Sequence, residues 1–371
     1  MSKSRTIDTG SPAFPKDVEM TDSSSAALAA PVPGSVPVPG SGAWLNQVRE
    51  EPIDPGRPII DPHHHLWVTR GDWGAYLLGQ LWADTGAGHN IRKTVFIECA
   101  ASYRAVGPEH LRPVGEAEFV ARIARASRDG GGGAEIAGFV GHTDLRQTAN
   151  TLREVLAAQI DAAQGIFRGI RHAGARDPNP QALTIPGRGA EGLYADADFR
   201  AGVALLGQLG HTYDTWHYHH QNPGFAALAR AVPGTTLVLD HFGTPLGVGD
   251  YASQREAIFS RWQHDIAEIA RSPNVVAKLG GLAMPDNGFG WNLRALPAHS
   301  DELVAAQGRY YRHAIECFGP ERCMFESNFP VDRRSLPYVS YWNAMKKIAA
   351  AYSVDEQQAM FYGTAERVYR L

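Results

Sequence analysis

The feature that most limits the possible folds of this chain is an alternation of short β-branched runs with longer amphipathic stretches. From residue 58 onward, the runs that predict strands are 58–63, 93–98, 135–141, 166–171, 211–217, 235–240, 274–279 and 322–327. Amphipathic stretches that predict helices lie between most of them, at 115–128, 148–163, 197–209, 254–271 and 301–318. Strands that alternate with helical crossovers pair in parallel, and eight of them can close on themselves. We therefore predict an α/β fold, a single (β/α)8 TIM barrel over residues 44–371.

An open, doubly wound parallel sheet is the rival fold. It would gather its polar residues at one switch point, whereas here polar residues end nearly every predicted strand. The segment 66–90 is too long for an ordinary loop and carries Trp67 and Trp73. We expect it to fold over the barrel mouth and contact substrate, with simple packing as the alternative.

Residues 1–43 are rich in Ser, Ala, Pro and Gly, and we expect them to form a disordered tail. The formal net charge is −4 and no basic cluster stands out, which argues against nucleic-acid and membrane partners. Three cysteines do not form a disulfide framework, and Lys3 and Arg5 are not followed by the apolar run of a secretion signal. We expect a cytoplasmic protein.

A His-x-His pattern closes the first predicted strand. Side chains alternate along a strand, so His63 and His65 point the same way and His64 points oppositely. Their backbones lie roughly 6.6 Å apart, and both imidazoles can reach one cation with bonds of about 2.1 Å. The position at the end of an apolar strand, where barrel active sites lie, favours a metal site over a His-rich surface turn.

Several ordered motifs resemble those of one family. They are Asp61-Pro62-His63-His64-His65-Leu66-Trp67, Leu239-Asp240-His241-Phe242-Gly243, Val275-Val276-Ala277-Lys278-Leu279-Gly280-Gly281 and Phe318–Pro330. Over about residues 58–371 the chain resembles the amidohydrolase superfamily, in the branch that contains lactonases of pyrone dicarboxylate and of sugar lactones. The resemblance implies a barrel whose strand-end histidines and a strand-eight aspartate surround a metal or the reacting carbonyl.

Carried over by position, the resemblance implies that the metal ligands are His63, His65, His219 and His241. His217 has the same strand parity as His219 and is a further candidate ligand, with a hydrogen-bonded barrel histidine as the alternative.

The last strand departs from the family pattern. Asn328 stands where the hydrolases have an aspartate that serves as general base, and an amide cannot accept a proton at neutral pH. Glu326 shares its strand parity one layer deeper, so it is predicted as a ligand and catalytic residue. Asp332, just past the strand, is another substitute.

Glu98 ends a strand that is apolar on both faces, where a carboxylate is costly unless it is paired or bound to a metal. We predict a ligand or a catalytic residue there, with an ion pair to Arg104 or Lys278 as the alternative. For substrate contacts the candidates are Arg171, Lys278, Trp67 and Tyr103. Of these, Arg171 would hold an anionic group such as a carboxylate.

Three functions remain open. The sequence slightly favours a hydroxylase with two Fe or Mn ions acting on a small, carboxylate-bearing substrate, because Glu98, Glu326 and the extra histidines exceed what one zinc needs. Such an enzyme resembles 2-aminoisobutyrate hydroxylase and requires external electron-transfer proteins. The second function is metal-dependent hydrolysis of a lactone or amide, with zinc as the alternative metal. The third is an inactive structural paralogue in a hetero-oligomer; for an active enzyme we expect a homo- or hetero-oligomer.

Overall fold

The computed structural model describes residues 37–371, so the expected tail lies mostly outside the described residues. Eight strands form one parallel sheet in the order of the chain. They are β1 Pro58–His64, β2 Asn90–Ile97, β3 Glu135–Gly141, β4 Phe167–Arg171, β5 Thr212–Thr215, β6 Leu237–Leu239, β7 Val275–Leu279 and β8 Cys323–Phe325. The eight predicted strands and the predicted barrel are confirmed.

The barrel closes between β1 and the residues that follow β8. The amide of His65 donates to the carbonyl of Phe329 across 2.9 Å, and the amide of Asn328 donates to the carbonyl of His63 across 3.0 Å. Beside this seam, the buried carboxylate of Asp61 accepts hydrogen bonds from the amide and hydroxyl of Ser327 and from the hydroxyl of Tyr338. Closure therefore carries the two candidate histidines of β1 and the polar end of β8 to the same place.

Each strand is followed by a helix. The helices are α1 Gly42–Leu45, α2 Leu78–Thr85, α3 Val114–Asp129, α4 Ala149–Ala162, α5 Ala197–Gln208, α6 Asn222–Ala231, α7 Arg255–Ala270, α8 Ser300–Phe318, α9 Tyr338–Ala349, α10 Val354–Gln358 and α11 Thr364–Tyr369. Side-chain caps start several of them: Thr148 accepts from Thr151 before α4, and Asp196 accepts from Phe199 before α5. The five predicted helices form with ends within one residue of the prediction.

The barrel interior is filled by apolar side chains of six strands, and α11 packs against them. This cluster contains Ile60, Val95, Ile97, Val140, Val238, Val276, Met324, Ala365, Val368 and Tyr369. The second, larger core lies between the strands and the outer helices. Above this apolar layer the interior holds a buried ion pair between Asp214 of β5 and Lys278 of β7.

The segment 66–90 folds against the barrel rather than forming an open loop. Trp67 and Tyr76 exchange two backbone hydrogen bonds of 2.9 Å, and α2 follows them. Trp67 and Trp73 line the cavity at the barrel mouth, as predicted for this segment. Between residues 37 and 371, no helix combines the length and apolar character needed to cross a membrane.

Candidate metal centre

A cavity of about 710 Å³ opens at the carboxyl ends of the strands. Its inner wall includes His65, Glu98, Arg171, His241 and Asn328, all of which lie at or just after strand ends. Active sites of barrels of this type lie at this end because the loops that follow the strands converge there.

The imidazole of His63 lies against that of His65, which lines the inner end of the cavity. Their Nε2 atoms lie 3.3 Å apart. Two ligands with bonds of about 2.1 Å at a tetrahedral angle are separated by about 3.4 Å, so this spacing suits one shared ion. His65 donates from Nδ1 to the carbonyl of Ile97 across 2.8 Å, which leaves its Nε2 as an acceptor. As predicted, His64 points away and contacts the hydroxyl of Thr94 at 3.0 Å.

His241 is brought to the same place by an unusual backbone. It lies two residues past the end of β6 with a left-handed φ of 54°, a conformation that costs energy for a residue with a side chain. Gly281, just after β7, has φ +72°, and a Cβ there would lie 2.2 Å from Nδ1 of His241. The absence of a side chain at Gly281 therefore makes room for the imidazole, whose ring centroid is 4.5 Å from that of His63.

Glu326 lies between His241 and His63. His241 donates from Nδ1 to Oε1 across 2.6 Å, and Nδ1 of His63 is 2.7 Å from Oε2, outside the angle of a hydrogen bond. These three side chains form a compact group of donors that could hold a metal. Both contacts are shorter than the spacing of about 3.4 Å between two tetrahedral ligands, and they match hydrogen-bond distances. The arrangement therefore fits a carboxylate that lies behind two imidazoles, with the Nε2 of His63 on the other side, 3.3 Å from that of His65 and 3.5 Å from Nη1 of Arg171.

Burial keeps the three imidazoles neutral, which is the form that binds a metal. It lowers the pKa of His63 and His65 well below the ordinary range and that of His241 to about 3, with help from nearby cations. Lys278 is one of these cations, and its Nζ lies 3.4 Å from Nδ1 of His63. That contact is longer than the one from the same nitrogen to Glu326, so Glu326 is its closer partner.

A buried set of charges surrounds the histidines. Lys278 lies 3.0 Å from Asp214 and 3.2 Å from Asp240. Both carboxylate oxygens of Asp240 lack a hydrogen-bond partner among the described residues, although both are buried. Burial raises the pKa of Asp240 to about 6 and that of Glu326 to about 8. The two oxygens of Asp240 therefore meet cations only through ion pairs, with Lys278 at Oδ1 and Arg171 at Oδ2.

Glu98 pairs with Arg171 rather than with Arg104 or Lys278. Nε of Arg171 is 2.8 Å from Oε1 of Glu98, and the guanidinium also donates to the Glu98 carbonyl. Arg171 lies 3.6 Å from Asp240 as well. Glu98 and Arg171 both line the cavity, but they form an ion pair with each other. Glu98 is therefore not free to bind a metal, and Arg171 is not free to bind a substrate carboxylate.

Two of the predicted ligands lie elsewhere. His217 contacts Tyr194 through Nδ1 at 3.0 Å and Asn222 through Nε2 at 2.8 Å, so both of its nitrogens are used. His219 accepts from the amide of Leu246 and packs against Tyr251. The reason is that β5 ends at Thr215, so strand alternation no longer governs the residues after it. The structure therefore does not bring His217 or His219 to the cluster. His217 is instead a hydrogen-bonded histidine of the barrel, which was the alternative to a metal ligand.

Asn328 faces the cavity with a left-handed φ of 55°, and its Nδ2 donates to Asp332 across 2.9 Å. Asp332 also accepts from the amide of Ala283 and is fully buried, which raises its pKa well above the ordinary range. Asp332 therefore supports Asn328 and does not reach the cavity. Its burial explains why it cannot replace the missing aspartate as a base in contact with substrate.

Among the predicted substrate residues, Trp67 and Tyr103 line the cavity, whereas Lys278 is fully buried beneath it. Lys278 cannot touch a substrate there, because its ammonium is held by Asp214 and Asp240. Sequence reasoning missed several residues of the outer wall, which come from long loops after the strands. They are His142, Asp144, Arg146, His172, Arg188 and Trp216.

Comparisons with known proteins identify the family. Residues 60–371 match the model of the family described as Amidohydrolase. The chain is 29% identical over 327 residues to an L-fucono-1,5-lactonase of Burkholderia multivorans, covering 84% of this chain and 96% of that protein. It is also 29% identical over 339 residues to an uncharacterised protein of Sinorhizobium fredii, covering 84% of this chain and 98% of that protein.

A solved structure is also similar. An amidohydrolase from Burkholderia multivorans with bound Zn superposes with a TM-score of 0.65 at 26% identity, covering 84% of this chain and 99% of that one. The family match spans most of the residues that form the barrel and includes every histidine of the cluster. The chain belongs to the amidohydrolase superfamily, whose members are metal-dependent barrel enzymes.

Proposed function

We propose that this protein hydrolyses a lactone or a related cyclic carbonyl compound with one divalent ion held by His63, His65 and His241. The observation that carries the proposal is the shared orientation of these imidazoles. Ile97 or Glu326 contacts Nδ1 of each ring, so each imidazole keeps its Nε2 available for an ion. Three protein ligands and an open position are typical of a catalytic zinc site.

The charges favour one ion rather than two. Four buried or nearly buried carboxylates, those of Glu98, Asp214, Asp240 and Glu326, face two cations, Lys278 and Arg171. Fully ionised, the group carries a charge of −2, which one divalent ion neutralises. A second divalent ion would leave this group with a charge of +2.

The placement of the carboxylates also favours hydrolysis over hydroxylation, which was slightly preferred from the sequence. A dinuclear iron site needs carboxylates that bridge or ligate the metals, but Glu98 is paired with Arg171 and Glu326 lies behind two histidines. Two sequence relatives support the same choice, since both are named L-fucono-1,5-lactonases. Zinc is the metal of the similar structure, so we favour zinc over iron or manganese.

A divalent ion in this position would polarise the carbonyl and lower the pKa of water. The protein must then supply a group that moves a proton, and Glu98 is the carboxylate of the inner wall that faces the cavity. We assign it the role of general base, with its Oε1 held by Arg171. Asn328 can donate to or orient the substrate or water, but it cannot take the proton.

The test uses zinc-loaded protein and L-fucono-1,5-lactone, the lactone in the names of two relatives, within a panel of neutral and acidic lactones. We expect reductant-independent hydrolysis, recorded by a pH indicator. Glu98→Gln should lower kcat by about 100-fold or more while zinc content stays the same, because general-base catalysis contributes about 10²–10⁴-fold. Loss of zinc from Glu98→Gln would make Glu98 a ligand instead, and an absence of hydrolysis across the panel would contradict the proposal.

A further inference from the structure

Four arginines line the cavity, and they differ in their partners. Arg171 is paired with Glu98. Arg146 forms two contacts with Asp144, of 2.9 and 2.7 Å. Arg70 and Arg188 make no ion pair with any residue between 37 and 371 in this structure, and both side chains are exposed. The outer part of the cavity therefore contains two arginines that no carboxylate neutralises.

Arg188 is presented by a well-anchored loop between β4 and α5. The buried carboxylate of Asp286 accepts from the amides of Thr184 and Ile185, at 2.6 and 2.9 Å. The hydroxyl of Tyr218 lies 2.7 Å from the amide of Gly187, which donates to it. Because these contacts fix the backbone on both sides of Pro186, Arg188 has a defined place on the cavity wall.

Arg70 approaches from the loop after β1. Its Nη1 donates to the carbonyl of Cys99 across 3.3 Å, and its guanidinium lies 4.9 Å from the centre of the Trp67 ring. These contacts restrict the side chain but leave its charge unbalanced. β1 and β4 are three strands apart in the barrel, so Arg70 and Arg188 reach the cavity from different sides.

The balance of charge separates the two parts of the cavity. With one divalent ion, the inner group around His63 is neutral. The outer wall has three arginines, Arg70, Arg146 and Arg188, and the single carboxylate of Asp144. Its net charge is therefore +2. A concave wall with uncompensated charge of one sign concentrates ligands of the opposite sign.

We propose that the substrate carries a carboxylate outside its reacting ring, and that Arg188 and Arg70 bind this carboxylate. Arginine is suited to this because its guanidinium binds a carboxylate through two parallel hydrogen bonds. Trp67, Trp73 and Trp216 line the same cavity and offer flat apolar surfaces for the ring. The inference depends on the proposed hydrolase activity for the reacting carbonyl, but the anion site itself does not. An anion site of this kind would distinguish the substrate preference of this chain from that of enzymes that act on neutral sugar lactones.

Benzoate and its neutral analogue benzamide are suitable binding probes, followed by tryptophan fluorescence of the zinc-loaded protein. We expect benzoate to bind about tenfold more tightly than benzamide. Arg188→Gln and Arg70→Gln should each weaken benzoate binding by about fivefold to tenfold and leave benzamide unchanged. Arg230→Gln, an exposed arginine in α6 that does not line the cavity, is the matched control. Equal binding of the two probes, or benzoate binding that neither arginine variant weakens, overturns the proposal.

A matched pair of lactones separates this inference from the proposed function. D-glucaro-1,4-lactone carries a carboxylate where D-glucono-1,4-lactone carries a hydroxymethyl group. Faster hydrolysis of the acidic lactone, lost in Arg188→Gln, supports both proposals. Hydrolysis without any preference for the acid overturns the anion site and leaves the hydrolase. Benzoate binding that depends on Arg188, in a protein that hydrolyses no lactone, leaves the anion site and contradicts the hydrolase.

Discussion

His241 donates from Nδ1 to Oε1 of Glu326 across 2.6 Å, and this contact joins the end of β6 to the end of β8 at the candidate metal centre. The same carboxylate approaches Nδ1 of His63. Glu326 therefore helps to orient two imidazoles that come from strands far apart in the sequence. Its replacement should lower the affinity for the metal.

Removing the charge of Glu326 should weaken metal binding without abolishing it. For Glu326→Gln we expect zinc affinity to fall about 10- to 100-fold, the usual effect of losing a group that orients metal-binding histidines. Competition with a chromogenic chelator measures it. Glu116→Gln is the control, because Glu116 is also a buried carboxyl but accepts from the amides of Cys99 and Ala101. An equal loss in both variants would contradict the role assigned to Glu326.

A side chain at Gly281 should displace His241. Gly281 and Gly290 have φ values of +72° and +71°, but a Cβ at Gly290 would meet nothing within 4 Å, whereas at Gly281 it would meet His241. Both Gly→Ala variants therefore share the backbone penalty, of about 1 kcal/mol. Only Gly281→Ala should also lose metal affinity, measured on protein that remains folded by circular dichroism. If the two variants bind zinc equally, the close approach of Gly281 to His241 does not affect metal binding.

The stability of the barrel seam should depend on Asp61. Tyr338→Phe removes a hydrogen bond of 2.9 Å to this buried carboxylate, and we expect a loss of about 1.5–3 kcal/mol in the free energy of unfolding. Tyr341→Phe removes a hydrogen bond of 3.1 Å to the neutral carbonyl of Leu279, so it should cost about 1 kcal/mol. Urea denaturation at pH 8 compares the two variants. A larger loss in Tyr341→Phe would argue against the importance of Asp61.

Acid should destabilise the fold through His217. Burial lowers the pKa of His217 to about 4 from the ordinary 6.5, so between these pH values the unfolded chain takes up a proton that the folded chain does not. The stability that depends on neutral His217 is present above pH 6.5 and is lost as the pH falls toward 4. The free-energy gap between wild type and His217→Gln should therefore shrink by about 1.4 kcal/mol per pH unit in this window. A gap independent of pH would show that His217 is not held neutral.

The barrel could be predicted from sequence because its signals are periodic. Alternation along β1 placed His63 and His65 on one face and His64 on the other, and the structure has the same arrangement. The same rule failed after β5, since the strand ends at Thr215, two residues before His217. Periodicity ends where a strand ends, and most of this site lies beyond that point.

The ion-pair partners of the site residues, and the residues of long loops, were harder to predict for a physical reason. Glu98 follows β2 and Arg171 ends β4, so their ion pair joins residues 73 positions apart in the sequence. A local sequence pattern cannot show that two such residues are in contact. Asp240 precedes His241 in a recognisable motif, but only the left-handed backbone at His241 explains how both side chains turn inward. Arg188 lies in a loop without strand or helix periodicity, so only its anchoring by Asp286 reveals its place.

The stoichiometry of bound metal tests the central claim most directly. Elemental analysis of wild-type protein, dialysed after loading with zinc, should find about one ion per chain, and His63→Ala, His65→Ala and His241→Ala should each hold far less. His219→Ala should retain the ion, because His219 lies outside the cluster. Two ions per chain, or full occupancy after replacement of any one of His63, His65 and His241, would contradict the account.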